Sequence, residues 1–128
     1  MSDEPDADPK PPGRVLVAGA FFRPESLITA LQVAITDWPE GTLIYRRDDP
    51  VGETAVAWWV EQGLPFEHHE QEPNAHLQFM QADELVLGKG QYPPADLVIA
   101  SVTGWLTFGR ACIHAAEQAG IPVIRIDD

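Results

Sequence analysis

Arginine is scarce in this chain, and its placement suggests what chemistry the chain does. Acidic residues outnumber basic ones 20 to 8, for a formal charge of -12 at neutral pH. Yet four arginines, Arg23, Arg46, Arg47 and Arg110, each come after a stretch that reads as a buried strand. Guanidinium forks hold phosphate oxygens bidentately, and helix N-termini add free N–H groups and a favourable dipole. The pattern predicts an anion site, for a phosphate. The hydroxyls of Thr103 and Thr107 and the small Gly19 and Gly104 fall in the same strand-end segments. Phe22 and Trp105 supply flat apolar surface for a base, and Trp105 is equally suited to a subunit contact. A competing reading uses the same arginines for local pairing: Arg46 and Arg47 with Asp48 and Asp49, and Arg23 with Glu25.

The other reactive side chains offer less. Asp48, Asp49 and Glu53 are the carboxylates near these arginines, and an enzyme cleaving an N-glycosidic bond would need one of them. Glu53 is also placed to complement a helix dipole. His68 and His69 are adjacent on a strand-like segment, where successive side chains face opposite sides and cannot chelate one metal. His76 and His114 have no carboxylate at ligand spacing, so solvated or core histidines are expected. Cys112 is the only cysteine, which excludes an intrachain disulfide and a multi-cysteine metal site. No metal or cofactor is expected.

Composition narrows the class further. A chain of 128 residues with 45% apolar content is sized for one domain with a proper core. Its net charge argues against general binding to nucleic acid or to an anionic membrane. No apolar run approaches the roughly 18 residues of a membrane span, and the acidic, proline-rich start is unlike a signal peptide. A cytoplasmic protein is the expectation. Residues 1–13 hold four acids and four prolines, bury too little apolar surface to offset ordering, and read as a disordered tail. The folded domain is expected over residues 14–128.

Strands and helices alternate through that domain. Arg14-Val-Leu-Val-Ala-Gly-Ala20 is a continuous apolar run, as in a strand covered on both faces. Pro24-Glu-Ser26 opens a helix with Leu27, Ile28, Leu31, Ala34 and Ile35 on one stripe. A second strand is expected over Thr42–Arg46, a turn over Arg47–Val51, a helix over Gly52–Gln62 stopped by Gly63, and a polar edge strand over Leu64–His69. Residues Glu70–Pro94 read as irregular apart from a short helix near His76–Asp83. Asp96–Val102 predicts a fourth strand, Thr107–Ala119 a helix and Ile121–Ile126 a last strand. Such alternation implies right-handed βαβ units and a parallel sheet. The expected fold is α/β, a three-layer Rossmann-like sandwich with a five-stranded parallel sheet ordered 3-2-1-4-5. In such sheets ligands bind beyond the carboxyl ends of the strands, where the order reverses.

Several segments resemble the SLOG superfamily, in its YspA-like branch related to DprA and to LOG-type phosphoribohydrolases. They are Arg14-Val-Leu-Val-Ala-Gly19, Gly52-Glu-Thr-Ala-Val-Ala-Trp58 with Gly63-Leu-Pro-Phe-Glu67, Ala95-Asp-Leu-Val-Ile-Ala100, and Ala119-Gly-Ile-Pro-Val-Ile124. Ala18-Gly-Ala-Phe-Phe22 is also similar to nucleoside deoxyribosyltransferases. The first resemblance implies a Rossmann-like domain and a nucleotide-like ligand. Its functional motifs are replaced here. Gly19-Ala-Phe-Phe22 stands where that branch has a Gly-Ser-Arg-Asp type turn. Arg46-Arg-Asp-Asp-Pro-Val-Gly-Glu53 stands for a glycine-rich turn ending in Gly-Ala-Asp. Val102-Thr-Gly-Trp-Leu-Thr-Phe-Gly109 stands for a Pro-Gly-Gly-x-Gly-Thr phosphate loop. The glutamate that catalyses in LOG-type enzymes and deoxyribosyltransferases has no counterpart.

These readings converge on a non-catalytic module that senses or sequesters a nucleotide or nucleotide-derived phosphate ligand. Its expected ligand-binding residues are Gly19, Phe22, Arg23, Arg46, Arg47, Thr103, Gly104, Trp105, Thr107 and Arg110. The alternative is an interaction or assembly subunit, a homo-oligomer among its forms, that kept the scaffold and lost the pocket. An N-glycosidic-bond-cleaving enzyme ranks third.

Overall fold

The computed structural model describes residues 13–88, 92–102 and 108–126. Residues 1–12 of the expected tail lie outside them, as do Thr103, Gly104, Trp105 and Thr107. Nine elements alternate: β1 (Arg14–Ala18), α1 (Pro24–Asp37), β2 (Thr42–Arg46), α2 (Pro50–Glu61), β3 (Phe66–His69), α3 (Ala75–Leu87), β4 (Leu97–Ala100), α4 (Phe108–Ala119) and β5 (Val123–Arg125). The sheet has five strands in the order β3-β2-β1-β4-β5, and every pairing is parallel. The fold is therefore α/β, a Rossmann-like sandwich, and the order reverses between β1 and β4.

Side-chain alternation divides the core into two layers. Val15, Val17, Leu43 and Ile99 pack with Leu27, Leu31, Val51 and Trp59 of α1 and α2. Leu16, Ala18, Ile44 and Val98 pack on the opposite face with Leu85, Val86, Cys112 and Ala116 of α3 and α4. The central strands are covered on both faces, which is why they read as unbroken apolar runs. β3 alternates exposed and half-buried residues, as an edge strand should. Gly13 is already part of the packed body: it is buried, and its carbonyl accepts from the Thr42 N–H at 2.8 Å.

Two helices depart from their expected bounds for local reasons. α2 begins at Pro50, not Gly52, because Asp49 caps it and Pro50 takes the first helical position, where a missing N–H costs nothing. The expected turn over Arg47–Val51 is thus shorter by Pro50 and Val51. α3 runs from Ala75 to Leu87, well past Asp83. The Asn74 side chain accepts from the Leu77 N–H at 2.9 Å, and Gly88 closes the helix in the left-handed conformation. Buried Leu85 and Val86 hold that last turn against the sheet. Among the described residues no helix is long and apolar enough to cross a membrane.

Candidate functional site

Gly19 directly follows β1, at the point where the strand order reverses. Its φ of 136° is open to glycine and rarely to other residues. A side chain there would collide with Ser101 Oγ and come within 2.9 Å of the Ser101 nitrogen. Gly109, in the first turn of α4, is equally constrained: a Cβ would lie 2.5 Å from the Ser101 carbonyl oxygen and 3.5 Å from Gly19 Cα. Two missing side chains thus let β1, β4 and α4 meet backbone to backbone.

The amide of Gly19 is already occupied. It donates to both Asp49 oxygens at 3.1 Å, while the Gly52 N–H donates to Asp49 Oδ2 at 2.9 Å. The Val51 N–H returns a bond of 3.0 Å to the Gly19 carbonyl. Asp49 therefore caps α2 and ties the end of β1 to it. Burial raises its carboxyl to about 6, against the opposing pull of the Gly52 and Gly19 amides and of Arg46. Glu53 is also committed, accepting from the Asp48 N–H at 2.8 Å. That bond helps hold Asp48 at its φ of 67°. The pattern is a capping box shifted by one residue.

Arg46 is the one buried arginine of the four, at 5% exposure. Its guanidinium carbon lies 3.8 Å over the Phe108 ring. Nη1 donates to Gln81 Oε1 at 3.5 Å, a long bond, and Gln81 is fixed by its own 2.8 Å bond to the Glu70 carbonyl. Arg46 Nε and Ser101 Oγ are buried without a partner among the described residues. Burial lowers the Arg46 pKa, with Asp49 and Cys112 opposing. Cys112 is fully buried in α4 and its thiol is pushed well up by burial, which suits a core position and not a reactive thiol.

The remaining expected residues spread outward. Phe22 is half-buried against the α1 and α2 layer. Arg23 is exposed at the N-cap of α1, and its side chain makes no cap bond. Arg47 is exposed and pairs with Glu70 at 3.2 Å, not with its neighbour Asp48. Arg110 is exposed in the first turn of α4. Gly19 and Arg46 are linked through Asp49, while Arg23, Arg47 and Arg110 stand at separate positions along the carboxyl end.

Ser101, Gln81, Phe108 and Asp49 join the site without having been singled out as ligand-binding. Asp49 was signalled by its place before Pro50, and Ser101 by being the one hydroxyl within the apolar stretch Asp96–Val102. Nothing in the spacing points to Gln81, which arrives from α3. On the sheet face below, Arg14 grips Glu67 at 2.9 and 3.2 Å, and Glu67 bonds His69 at 2.6 Å. The Tyr92 ring meets His69 edge-on at 5.2 Å. His69 is thus a partnered, half-buried side chain, and His68, His76 and His114 are exposed. No family model matches the chain, and no curated protein matches it.

Proposed function

We propose that this chain binds a small anionic ligand, a nucleotide or nucleotide-derived phosphate, at the carboxyl end of its sheet and does not turn it over. One observation carries the reading. Arg46 is a buried cation whose Nε has no partner among the described residues and whose one described hydrogen bond is 3.5 Å long. Burying a charge without full pairing is expensive, so a buried unsatisfied guanidinium calls for an explanation. Ser101 Oγ, also buried and without a partner among the described residues, directly follows β4 and lies against Gly19. An oxyanion admitted beside either atom would give it the partner it lacks. The reading without turnover is supported by two of the three nearby carboxylates: Asp49 and Glu53 are spent on backbone amides, which leaves only exposed Asp48. The likeness of the strand and helix segments to the SLOG superfamily agrees with a nucleotide-like ligand.

Thermal unfolding in the presence of ADP-ribose, NAD, nucleoside monophosphates and cyclic nucleotides tests this. A ligand at 100 times its Kd stabilises the fold by about 2.7 kcal/mol. The expected result is a raised Tm with at least one of them, lost in Arg46→Met. The reading fails if no ligand raises the Tm at millimolar concentration while Arg46→Met is as stable as the wild type. That outcome would make Arg46 a replaceable core residue.

A further inference from the structure

The charge buried around Arg46 restricts what can enter the crevice. Arg46 and Asp49 are each 5% exposed. They feel each other's charge but share no side-chain hydrogen bond among the described residues. Asp49 accepts from the Gly19 and Gly52 amides, and Arg46 donates to Gln81. The neighbouring elements add no further buried charge. Glu53 of α2 acts on Asp49 from an exposed position, where it accepts from the Asp48 N–H. Asp48 and Arg47 are exposed, and Arg47 is paired with Glu70. Burial keeps Cys112 of α4 a neutral thiol, with Asp83 of α3 pushing the same way. β1 and β4 bring Gly19 and Ser101, and α3 brings Gln81, none of which titrates. On β3, His69 lies in register with Arg46 and is bound to Glu67. Thr103-Gly-Trp-Leu-Thr107 contains no charged residue.

With Asp49 ionised, the buried pair is neutral. A singly charged oxyanion beside Arg46 leaves one negative charge in excess, and one proton on Asp49 cancels it. A doubly charged group leaves an excess even then. Excess charge away from water is costly, and a nearby titratable group relieves it by changing protonation state. Asp49 suits that exchange. As a neutral acid it still accepts an amide hydrogen bond, and burial has already raised its carboxyl to about 6, so the proton is at hand near neutral pH. Ser101 Oγ, buried against Gly19 and without a partner among the described residues, supplies a donor that adds no charge.

We infer that the crevice takes up one negative charge together with one proton: its ligand presents a singly charged oxyanion, a phosphodiester and not a phosphomonoester, and Asp49 is protonated in the complex. This ligand class rests on the anion-site reading above and narrows it. Ligand and proton favour each other by the same factor, so affinity falls as pH rises.

Titration calorimetry of the full chain with cyclic AMP, a phosphodiester, and with AMP, a phosphomonoester, tests this between pH 6 and pH 8. Pairs of buffers with different ionisation enthalpies count the protons. Cyclic AMP should bind with uptake approaching one proton at pH 7 and above, and its Kd should rise about ten-fold per pH unit there. AMP at pH 8 is about two units above its second pKa near 6, has to bind its own proton as well, and should be about 100-fold weaker. Asp49→Asn, neutral at every pH, should lose both the proton uptake and the pH dependence with cyclic AMP. Far-UV circular dichroism checks that it folds, and the proton count of the wild type stands without it. Binding that is lost in Arg46→Met, yet is flat in pH and free of proton uptake, overturns the inference and leaves the anion-site reading standing. So does AMP binding as tightly as cyclic AMP at pH 8, or proton uptake that persists in folded Asp49→Asn. Binding that survives Arg46→Met places the nucleotide elsewhere and overturns it too. If neither nucleotide binds at any pH the inference is overturned, and the anion-site reading falls only if its own thermal-unfolding test fails as well.

Discussion

Replacing Asp49 by asparagine separates two roles of the same side chain: accepting hydrogen bonds and carrying charge. Burial raises the Asp49 carboxyl from 3.8 to about 6. A raised carboxyl pKa means that the folded state binds the proton more tightly than the unfolded chain. Between about pH 4 and pH 6 the native state therefore holds more protons, and stability falls as pH rises through that window. The shift is about two pH units, so at about 1.4 kcal/mol per unit the ionised side chain costs about 3 kcal/mol above pH 6. That cost is absent below pH 4. Asparagine carries no charge at any of these pH values. It keeps one oxygen for the Gly52 or the Gly19 amide and turns its NH2 toward the other, a fixed loss of about 1–2 kcal/mol. Urea unfolding of both proteins at pH 4, 5, 6 and 7 reads the two effects apart. The wild type should be the more stable at pH 4. Its advantage should shrink by about 3 kcal/mol toward pH 7, to the point of reversal. Glu67, whose carboxyl stays low because Arg14 and His69 outweigh its burial, is present in both proteins and cancels. A stability difference that is flat in pH, or that grows with pH, refutes the reasoning.

Two further substitutions probe the scaffold beneath the site. Gly19→Ala should cost roughly 3 kcal/mol or more in urea unfolding, because the new methyl meets Ser101 at a forbidden φ. Gly63→Ala, also at positive φ but with nothing within 4 Å, should cost only about 1 kcal/mol, so equal losses would refute the close-approach argument. Glu67→Gln leaves the half-buried Arg14 guanidinium without its carboxylate and should lower stability by about 2 kcal/mol at pH 7, measured in the same way.

The layers were legible in the sequence because burial on both faces leaves a mark no surface element leaves. Arg14-Val-Leu-Val-Ala18 and Leu97-Val-Ile-Ala100 have no polar alternation, and both are central. Capping geometry was less legible. Asp49-Pro50 is a start signal that competes with a turn reading of the same residues, so α2 begins before its expected bound, and α3 runs past Asp83 because Leu85 and Val86 are buried against the sheet before Gly88 ends it. The site was legible only to the level of which strand ends meet. That Arg46 turns inward follows from strand parity, since it shares the face of Ile44. That it lies on Phe108 beside Gln81 depends on α3 and α4 crossing that face, and no local pattern encodes the crossing. Arg47 illustrates the same limit, because its partner Glu70 is 23 residues away.

Asp49 gives a physical reason why this chain needs no glycine-rich turn at these strand ends. Phosphate loops keep amides free and side chains small so that a ligand can approach the backbone. Here the Gly19 amide and the N-terminus of α2 converge in the usual way, but a carboxylate from the same chain fills the position. Once Asp49 is the anion, bulky neighbours no longer obstruct anything. Pro50 becomes an asset, because its fixed φ sets the first turn of α2 beneath the carboxylate. Phe108 becomes the plate on which the Arg46 guanidinium lies. Asp49 and Arg46 feel each other's charge but share no side-chain hydrogen bond among the described residues, so Arg46 keeps donor capacity that Asp49 does not take up. Under the function proposed above, recognition falls to side chains, Arg46 and Ser101, because the Gly19 and Gly52 amides already donate to Asp49.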